Sequence, residues 1–124
     1  MLRALALGSS KVMGRQRTAA ALAEATGAVI LLKGHRTLIV SGQDAYENPT
    51  GNPGMATGGS GDVLSGIITS LLAQKHLDAM PIERVNAAAF LHGLAGDIAA
   101  ENIGEYGMTS ADIADAVAAA FNAL

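Results

Sequence analysis

Between Asn48 and Gly61 the chain places five glycines in fourteen residues, and from Asp62 to Gln74 it settles into an amphipathic helical pattern. Each glycine held in regular structure loses about 0.5–1 kcal/mol more than alanine would. A run of them is best explained by a backbone that needs unusual dihedrals or must let a ligand approach closely. A helix start offers unpaired N–H groups and the positive end of the helix dipole. Glycines ahead of it allow those donors to converge on an anion, typically a phosphate. The alternative is a plain turn capped by Asp62, since a carboxylate there is favoured by about 0.3–1 kcal/mol. The stretch is not a P-loop, which needs Gly-Lys-Ser/Thr after four intervening residues, and no lysine occurs here. Nor is it the dinucleotide fingerprint, because Leu64 stands where the third glycine is required.

The flanking segments set the fold class. Residues 15–27 read as an alanine-rich helix with Gly27 as its C-cap. Residues 28–32, AVILL, form a short apolar run that suits a strand buried on both faces, as in a parallel sheet covered by helices. Residues 33–36 break it, residues 37–40 predict a second strand, and a short edge strand is expected near Ala45–Tyr46. After the glycines three helices follow. The first carries Val63, Leu64, Ile67, Ile68, Leu71 and Leu72 in one stripe. The second opens after Pro81 and runs to about Asn102, with Phe90, Leu94 and Ile98 on one face. Gly93 and Gly96 inside it imply close packing against a neighbour. The third starts from Thr109 as N-cap and aligns Ile113, Val117, Phe121 and Leu124. This is an α/β pattern of few strands and about four helices, read as a single domain over 1–124, with fewer strands than a fully covered sheet needs.

Composition narrows the function classes. Half of the 124 residues are apolar, mostly alanine and aliphatic, with two Phe, two Tyr and no Trp. No cysteine is present, which excludes disulfides and thiolate metal sites. The apolar run Ala4–Leu7 is too short for a signal-peptide core, and no stretch approaches the roughly 20 residues of a spanning helix. A cytoplasmic location is the expectation. Residues 1–40 hold six Lys/Arg and one Glu, whereas the remainder holds two and ten acidic residues. That asymmetry reads first as uneven surface charge and second as a preference for a phosphate-bearing ligand. No basic-aromatic interleaving points to nucleic acid. No His/Asp/Glu set has metal-ligand spacing.

Longer phrases are more specific. "ENPTGNPGMATGGSGDVLSGIITSLLAQ" resembles the signature of the ADP/ATP-dependent NAD(P)H-hydrate dehydratases of the ribokinase-like superfamily. "VILLKGHRTLIV" is similar to that family's strand, Lys-Gly turn and strand, and "AAAFLHGLAGDIAAE" with "GMTSADIADAVAAAF" to its closing helices. The resemblance runs from about residue 17 to the end. It implies the C-terminal portion of a ribokinase-like α/β/α sandwich, the family's N-terminal half with its His-Pro-Gly-Glu segment having no counterpart here. By the same resemblance Lys33, Gly34, His35, Arg36 and Thr37 contact an adenine nucleotide. Gly58, Gly59 and Gly61 form its phosphate loop and anion hole. Asp62, with Asn48 and Asn52, faces the hydrated nicotinamide. The implied reaction restores NADH or NADPH from the S-epimer of its hydrate. ADP or ATP phosphorylates the ring hydroxyl and phosphate then leaves, with Mg2+ bridging the nucleotide phosphates. A homo-oligomer, or a complement to the absent half, is the implied assembly. The alternatives are a small-molecule kinase of the thiazole or pyrimidine type and a non-catalytic nucleotide-binding fragment.

The remaining polar residues carry no chemistry at this level. His92 reads as a packing or polar-face residue and His76 as an exposed residue at a helix end. Ser60 and Ser65 lack a nearby histidine in the sequence, so a hydrolase nucleophile is not expected. Asp97, Glu101 and Glu105 read as a solvated face.

Overall fold

In the computed structural model, which describes residues 10–124, the order is α1 (Ser10–Thr26), β1 (Ile30–Leu32), β2 (Leu38–Ser41), β3 (Asp44–Glu47), a 3-10 turn (Pro53–Met55), α2 (Ser60–Ala73), α3 (Pro81–Ile103) and α4 (Ser110–Asn122). The apolar run Ala4–Leu7 lies outside the described residues. None of the described helices is long and apolar enough to cross a membrane.

The strands form a meander in the order β1-β2-β3, and both pairs are antiparallel. The expected parallel pairing is therefore corrected. Only five residues separate β1 from β2, whereas a parallel crossover needs a dozen or more. Between β2 and β3 only Gly42 and Gln43 intervene, and Gly42 takes φ 55, as the first position of a tight hairpin turn requires. Among the described residues β1 pairs with β2 alone, and it is half-buried rather than buried.

Alternation along the strands assigns each face. Leu38 and Val40 pack with Ala19 and Ala23 of α1, joined by Ile30 and Leu32. Ile39 points the other way, against Ile82, Val85 and Ala89 of α3, with Leu31 alongside. Ala19 and Ala23 are one helical turn apart and both 1% exposed, so α1 lies close on the sheet. A third cluster joins α2, α3 and α4 through Ile67, Leu71, Ala88, Leu91, Ala95, Ala99, Ile113 and Ala120. The layers are thus α1, sheet, α3, with α2 and α4 completing the last layer.

Because α3 is sandwiched, its buried surface is broader than the sequence pattern suggests. The fully buried positions are mainly alanines, Leu91 and His92, while Phe90, Leu94 and Ile98 are only half-buried. On α2, Leu64, Ile67 and Leu71 are buried but Leu72 is exposed. On α4, Ile113 is buried, yet Phe121 and Leu124 are exposed. Phe121 and Val117 border an open apolar groove of about 350 Å³ between α2 and α4.

The helix ends are secured locally. Gly27, at φ 68, donates its N–H to the Ala23 carbonyl at 2.8 Å and closes α1. Glu83 accepts the Met80 N–H at 2.7 Å at the start of α3. Asp112 accepts both the backbone N–H and the hydroxyl of Thr109 at 2.7 Å, completing a capping box on α4. Those two bonds hold the Asp112 carboxyl below its ordinary value, the hydroxyl bond contributing most. At the C-terminus of α2 the cation is Arg84 from α3. It donates to the carbonyls of Leu71, Leu72 and Gln74 at 3.0–3.3 Å and also to those of Ala79 and Leu77. His76 sits beyond the helix end at Ala73 and is exposed.

Candidate functional site

The glycine loop lies along one face of α3. Four α3 residues at i, i+1, i+4 and i+5 hold it. His92 bonds Ser60, with Nε2 at 2.9 Å from the Ser60 carbonyl and 3.3 Å from its hydroxyl. Gly93 leaves room for Thr50, whose hydroxyl oxygen would stand 2.0 Å from a Cβ added there. Gly96 leaves room for Met55, whose sulfur would stand 2.2 Å from such a Cβ. Asp97 accepts the Gly51 N–H at 3.0 Å and the Asn52 side-chain amide at 2.9 Å. Asp97 is therefore no solvated-face residue. Its carboxylate clamps the loop, and both oxygens are in use. The close packing expected of Gly93 and Gly96 is present, and the neighbour is the loop itself.

Asn48 and Asn52 anchor the same stretch. Asn48 is buried and donates to the carbonyl of Ala89 at 3.1 Å, while Thr50 donates its hydroxyl to the Asn48 side-chain oxygen at 2.9 Å. The Asn52 side-chain oxygen accepts the Gly54 N–H at 3.0 Å and opens the 3-10 turn. The visible bonds of both side chains are tethers within the chain.

The loop delivers its glycines to the tip of α2. Gly59 is the N-cap, at φ 88, a left-handed conformation that glycine adopts without steric cost. A Cβ there would also stand 2.6 Å from the Ser110 hydroxyl, so the first turn of α4 abuts the first turn of α2. The Ser60 N–H reaches the Thr57 carbonyl, and those of Asp62 and Val63 reach the Gly59 carbonyl. The N–H of Gly61 has no acceptor among the described residues. Gly58, Gly59 and Asp62 are exposed and Gly61 is half-buried.

Lys33 arrives from the β1–β2 turn. Its Nζ stands 2.6 Å from the place a Cβ of Gly61 would occupy. The place of the absent side chain is thus taken by an ammonium group, at a residue whose N–H has no acceptor among the described residues. Helix dipole, amide and ammonium all favour an anion at this point. The turn bearing Lys33 is braced from α1. Arg15 donates to the Lys33 carbonyl at 2.8 Å and lies against Gly34, and Thr37 donates its hydroxyl to the Gly34 carbonyl at 3.2 Å. Arg36, at φ 57, pairs through Nε with Glu47 at 2.7 Å, and His35 is exposed.

Ser60 does have a histidine partner, contrary to the sequence reading. It is still no nucleophile. The serine is buried, and a ring N–H bonded to a carbonyl is not a base for the adjacent hydroxyl. Burial lowers the His92 pKa, and Lys33 adds to that effect, outweighing the Ser60 carbonyl bond. Sequence reasoning missed His92, Asp97, Arg15 and Ser110. The signal for the first two was their spacing with Gly93 and Gly96, which places all four on one helix face.

A three-layered α/β portion with an exposed glycine-rich helix tip has the organisation of a ribokinase-like protein. A ribokinase-like superfamily protein from Enterococcus faecalis superposes with a TM-score of 0.67 at 35% identity, covering 93% of this chain and 37% of that one. The family model for NAD(P)H-hydrate dehydratase matches residues 3–119, and the chain belongs to that family. It is 47% identical over 118 residues to the bifunctional NAD(P)H-hydrate repair enzyme Nnr of Moorella thermoacetica, covering 93% of this chain and 22% of that protein. It is 48% identical over 93 residues to the ADP-dependent (S)-NAD(P)H-hydrate dehydratase of Neisseria meningitidis, covering 73% of this chain and 30% of the relative. The ADP/ATP-dependent NAD(P)H-hydrate dehydratase of Bacillus subtilis, co-crystallised with ATP/Mg2+, superposes with a TM-score of 0.80 at 28% identity. That match covers 90% of this chain and 39% of the other. The chain therefore spans less than a third of these two curated relatives.

Proposed function

We propose that the chain supplies the nucleotide-phosphate side of an ADP- or ATP-dependent dehydratase acting on the S-epimer of hydrated NADH or NADPH. The observation that carries this reading is the Lys33 ammonium occupying the place of a Gly61 side chain at the α2 tip, where the Gly61 N–H has no acceptor among the described residues. Family membership supplies the chemistry to which that point is put.

In this reading the 33–37 turn holds the adenine nucleotide, and Gly58, Gly59 and Gly61 line its phosphates. Lys33 and the Gly61 N–H bear on the phosphoryl group being transferred, where charge must be stabilised. Asp62, exposed in the first turn of α2, accepts a hydrogen bond from the substrate's ring hydroxyl and aims it at phosphorus. The hydroxyl oxygen bonds to phosphorus as the bond to the nucleotide breaks, and the hydroxyl proton is released. Phosphate then departs, the ring nitrogen pushing, while the neighbouring ring carbon loses a proton and the double bond returns. Hydroxide leaves poorly and a phosphate ester leaves well, which is why the nucleotide is spent. Positioning does most of the work in such a transfer, so Asp62 need not be a strong base. Among the described residues no group of three or more His, Cys, Asp or Glu could hold a metal. Magnesium would enter on the nucleotide phosphates. Asn48 and Asn52 keep the loop in place at the hydrate-facing edge, and a complementary N-terminal half or a second copy would complete that edge. A cytoplasmic setting, where the two nucleotides are found, fits this role.

The test is incubation of the chain, mixed with an N-terminal half from a relative, with hydrated NADH, ADP and Mg2+, following NADH absorbance and free phosphate together. Both should rise in equal amounts. A stable phosphorylated product without NADH would instead make the protein a small-molecule kinase. Asp62→Ala should remove turnover while ADP affinity stays within about threefold, since the carboxylate repels rather than binds phosphate. Parallel loss of turnover and ADP affinity would reduce Asp62 to a cap.

A further inference from the structure

His92 lies in the middle of α3, 8% exposed, and the reaction just described does not use it. Its Nε2 approaches the Ser60 carbonyl at 2.9 Å. A carbonyl oxygen can only accept, so Nε2 carries the proton. The Ser60 hydroxyl, at 3.3 Å, shares that hydrogen at best.

The Ser60 carbonyl and the Gly61 N–H belong to one peptide group. That group is planar and trans, so its C=O and N–H point in opposite directions. A partner that fixes the carbonyl therefore fixes where the amide hydrogen aims. The helix ladder already engages the oxygen of that carbonyl, since Ser60 is the first residue of α2, and the histidine is a second, lateral donor that fixes the tilt of the peptide. Donation to the carbonyl also polarises the same peptide and strengthens its N–H as a donor. Among the described residues the Gly61 N–H is without an acceptor, as are those of Gly58 and Gly59, and Gly61 is the residue at which the Lys33 ammonium stands in the place of a side chain.

We propose that His92 is a positioning residue for the anion point: through the Ser60–Gly61 peptide it sets the aim and donor strength of the Gly61 N–H. The charged or polar groups that meet the imidazole are Ser60 from α2 and Lys33 from the β1–β2 turn. Burial and that lysine keep the ring neutral, so it contributes a directed dipole to the site without a second competing charge. The inference rests on the reading of the α2 tip as the phosphate-binding point.

Two substitutions separate the donor from mere packing. His92→Gln offers an amide N–H near the Nε2 position, and His92→Phe keeps a ring without a donor. Calorimetric titration with ADP and Mg2+ should show about a tenfold loss of affinity in the Phe variant, the scale of one lost hydrogen bond. The Gln variant should stay within about threefold of the parent. Equal affinity in all three chains overturns the inference, and so does equal loss in Gln and Phe, which would make ring shape the relevant property. Should the Phe variant fail to fold, His92→Asn, whose amide falls short of Ser60, takes its place with the same expected loss. The 15N and 1H shifts of the Gly61 amide provide a readout that needs no ligand. They should move in the Phe or Asn variant and return towards the parent position in the Gln variant, and unmoved shifts overturn the proposal. A parent chain that takes up no ADP while these shifts respond as expected refutes the phosphate reading and leaves the His92–Ser60 coupling standing.

Discussion

At Gly61 the requirements of stability and of the proposed phosphate contact come apart within a single residue. Its φ is not among the positive values, so its backbone conformation accepts an L side chain, and it lies within a helix. The neighbour a Cβ would meet is the far end of a flexible lysine. Gly61→Ala should therefore leave the melting temperature unchanged or raise it slightly, because alanine is worth up to about 1 kcal/mol over glycine in a helix. The methyl group would push the Lys33 ammonium aside and intrude on the space where a phosphate would lie. ADP affinity should fall by at least about tenfold, the scale of one hydrogen bond to a charged group. Parent-like ADP affinity, measured by titration calorimetry, would remove the phosphate from this point. Gly93 is the opposite case. There the obstacle includes the Thr50 backbone, 2.7 Å from the added carbon. Gly93→Ala should cost about 1–3 kcal/mol through overpacking, read from chemical denaturation, and should loosen residues 48–52.

At the scale of elements, α3 organises everything around it. One face receives the sheet, another receives α2 and α4, and a third carries the glycine loop. Its Arg84 closes α2 by gathering carbonyls that the helix itself cannot satisfy. A hydrogen bond involving a charged group contributes about 1.5–3 kcal/mol. Arg84→Ala should lower the unfolding free energy by about 2 kcal/mol and raise amide exchange in residues 74–80 before other segments. Arg84→Lys should recover less than half of this, because a single ammonium cannot span carbonyls from Leu71 to Ala79. An alanine variant as stable as the parent would mean that water satisfies those carbonyls equally well.

For the whole molecule the pH response follows from His92. Its folded pKa lies below the ordinary value of 6.5, mainly because burial disfavours the charged ring. Above that value both folded and unfolded chains hold the ring neutral, and it contributes nothing to pH dependence. As pH falls below about 6.5 the unfolded chain takes up the proton first, so stability declines until the folded pKa is passed. Melting curves of the parent and of His92→Gln, taken between pH 7.5 and 5 (about two units around the ordinary histidine value), should diverge only at the acidic end, with the Gln chain less sensitive. Identical slopes would mean that the ring is protonated as readily in the folded chain. The Asp112 cap acts further down: its lowered pKa gives a contribution present at neutral pH and lost as pH falls through the folded value.

Local chemistry made much of this architecture readable in advance. Gly27, Pro81 and Thr109 mark helix ends because left-handed turns, rigid φ and side-chain caps are properties of single residues and their immediate neighbours. The glycine run and Lys33-Gly34 likewise announced two turns that a phosphate group could approach. Pairing direction was misread because a buried apolar run looks the same in either sheet type, and only the short connections exclude a parallel partner. Nothing in the linear pattern brought Lys33 over Gly61, set His92 under Ser60, or turned Asp97 from a solvent-facing acid into a clamp. Those contacts join positions 28 to 46 residues apart, and they exist because the packing of α3 against sheet and helices leaves one small-residue face on which the loop can rest.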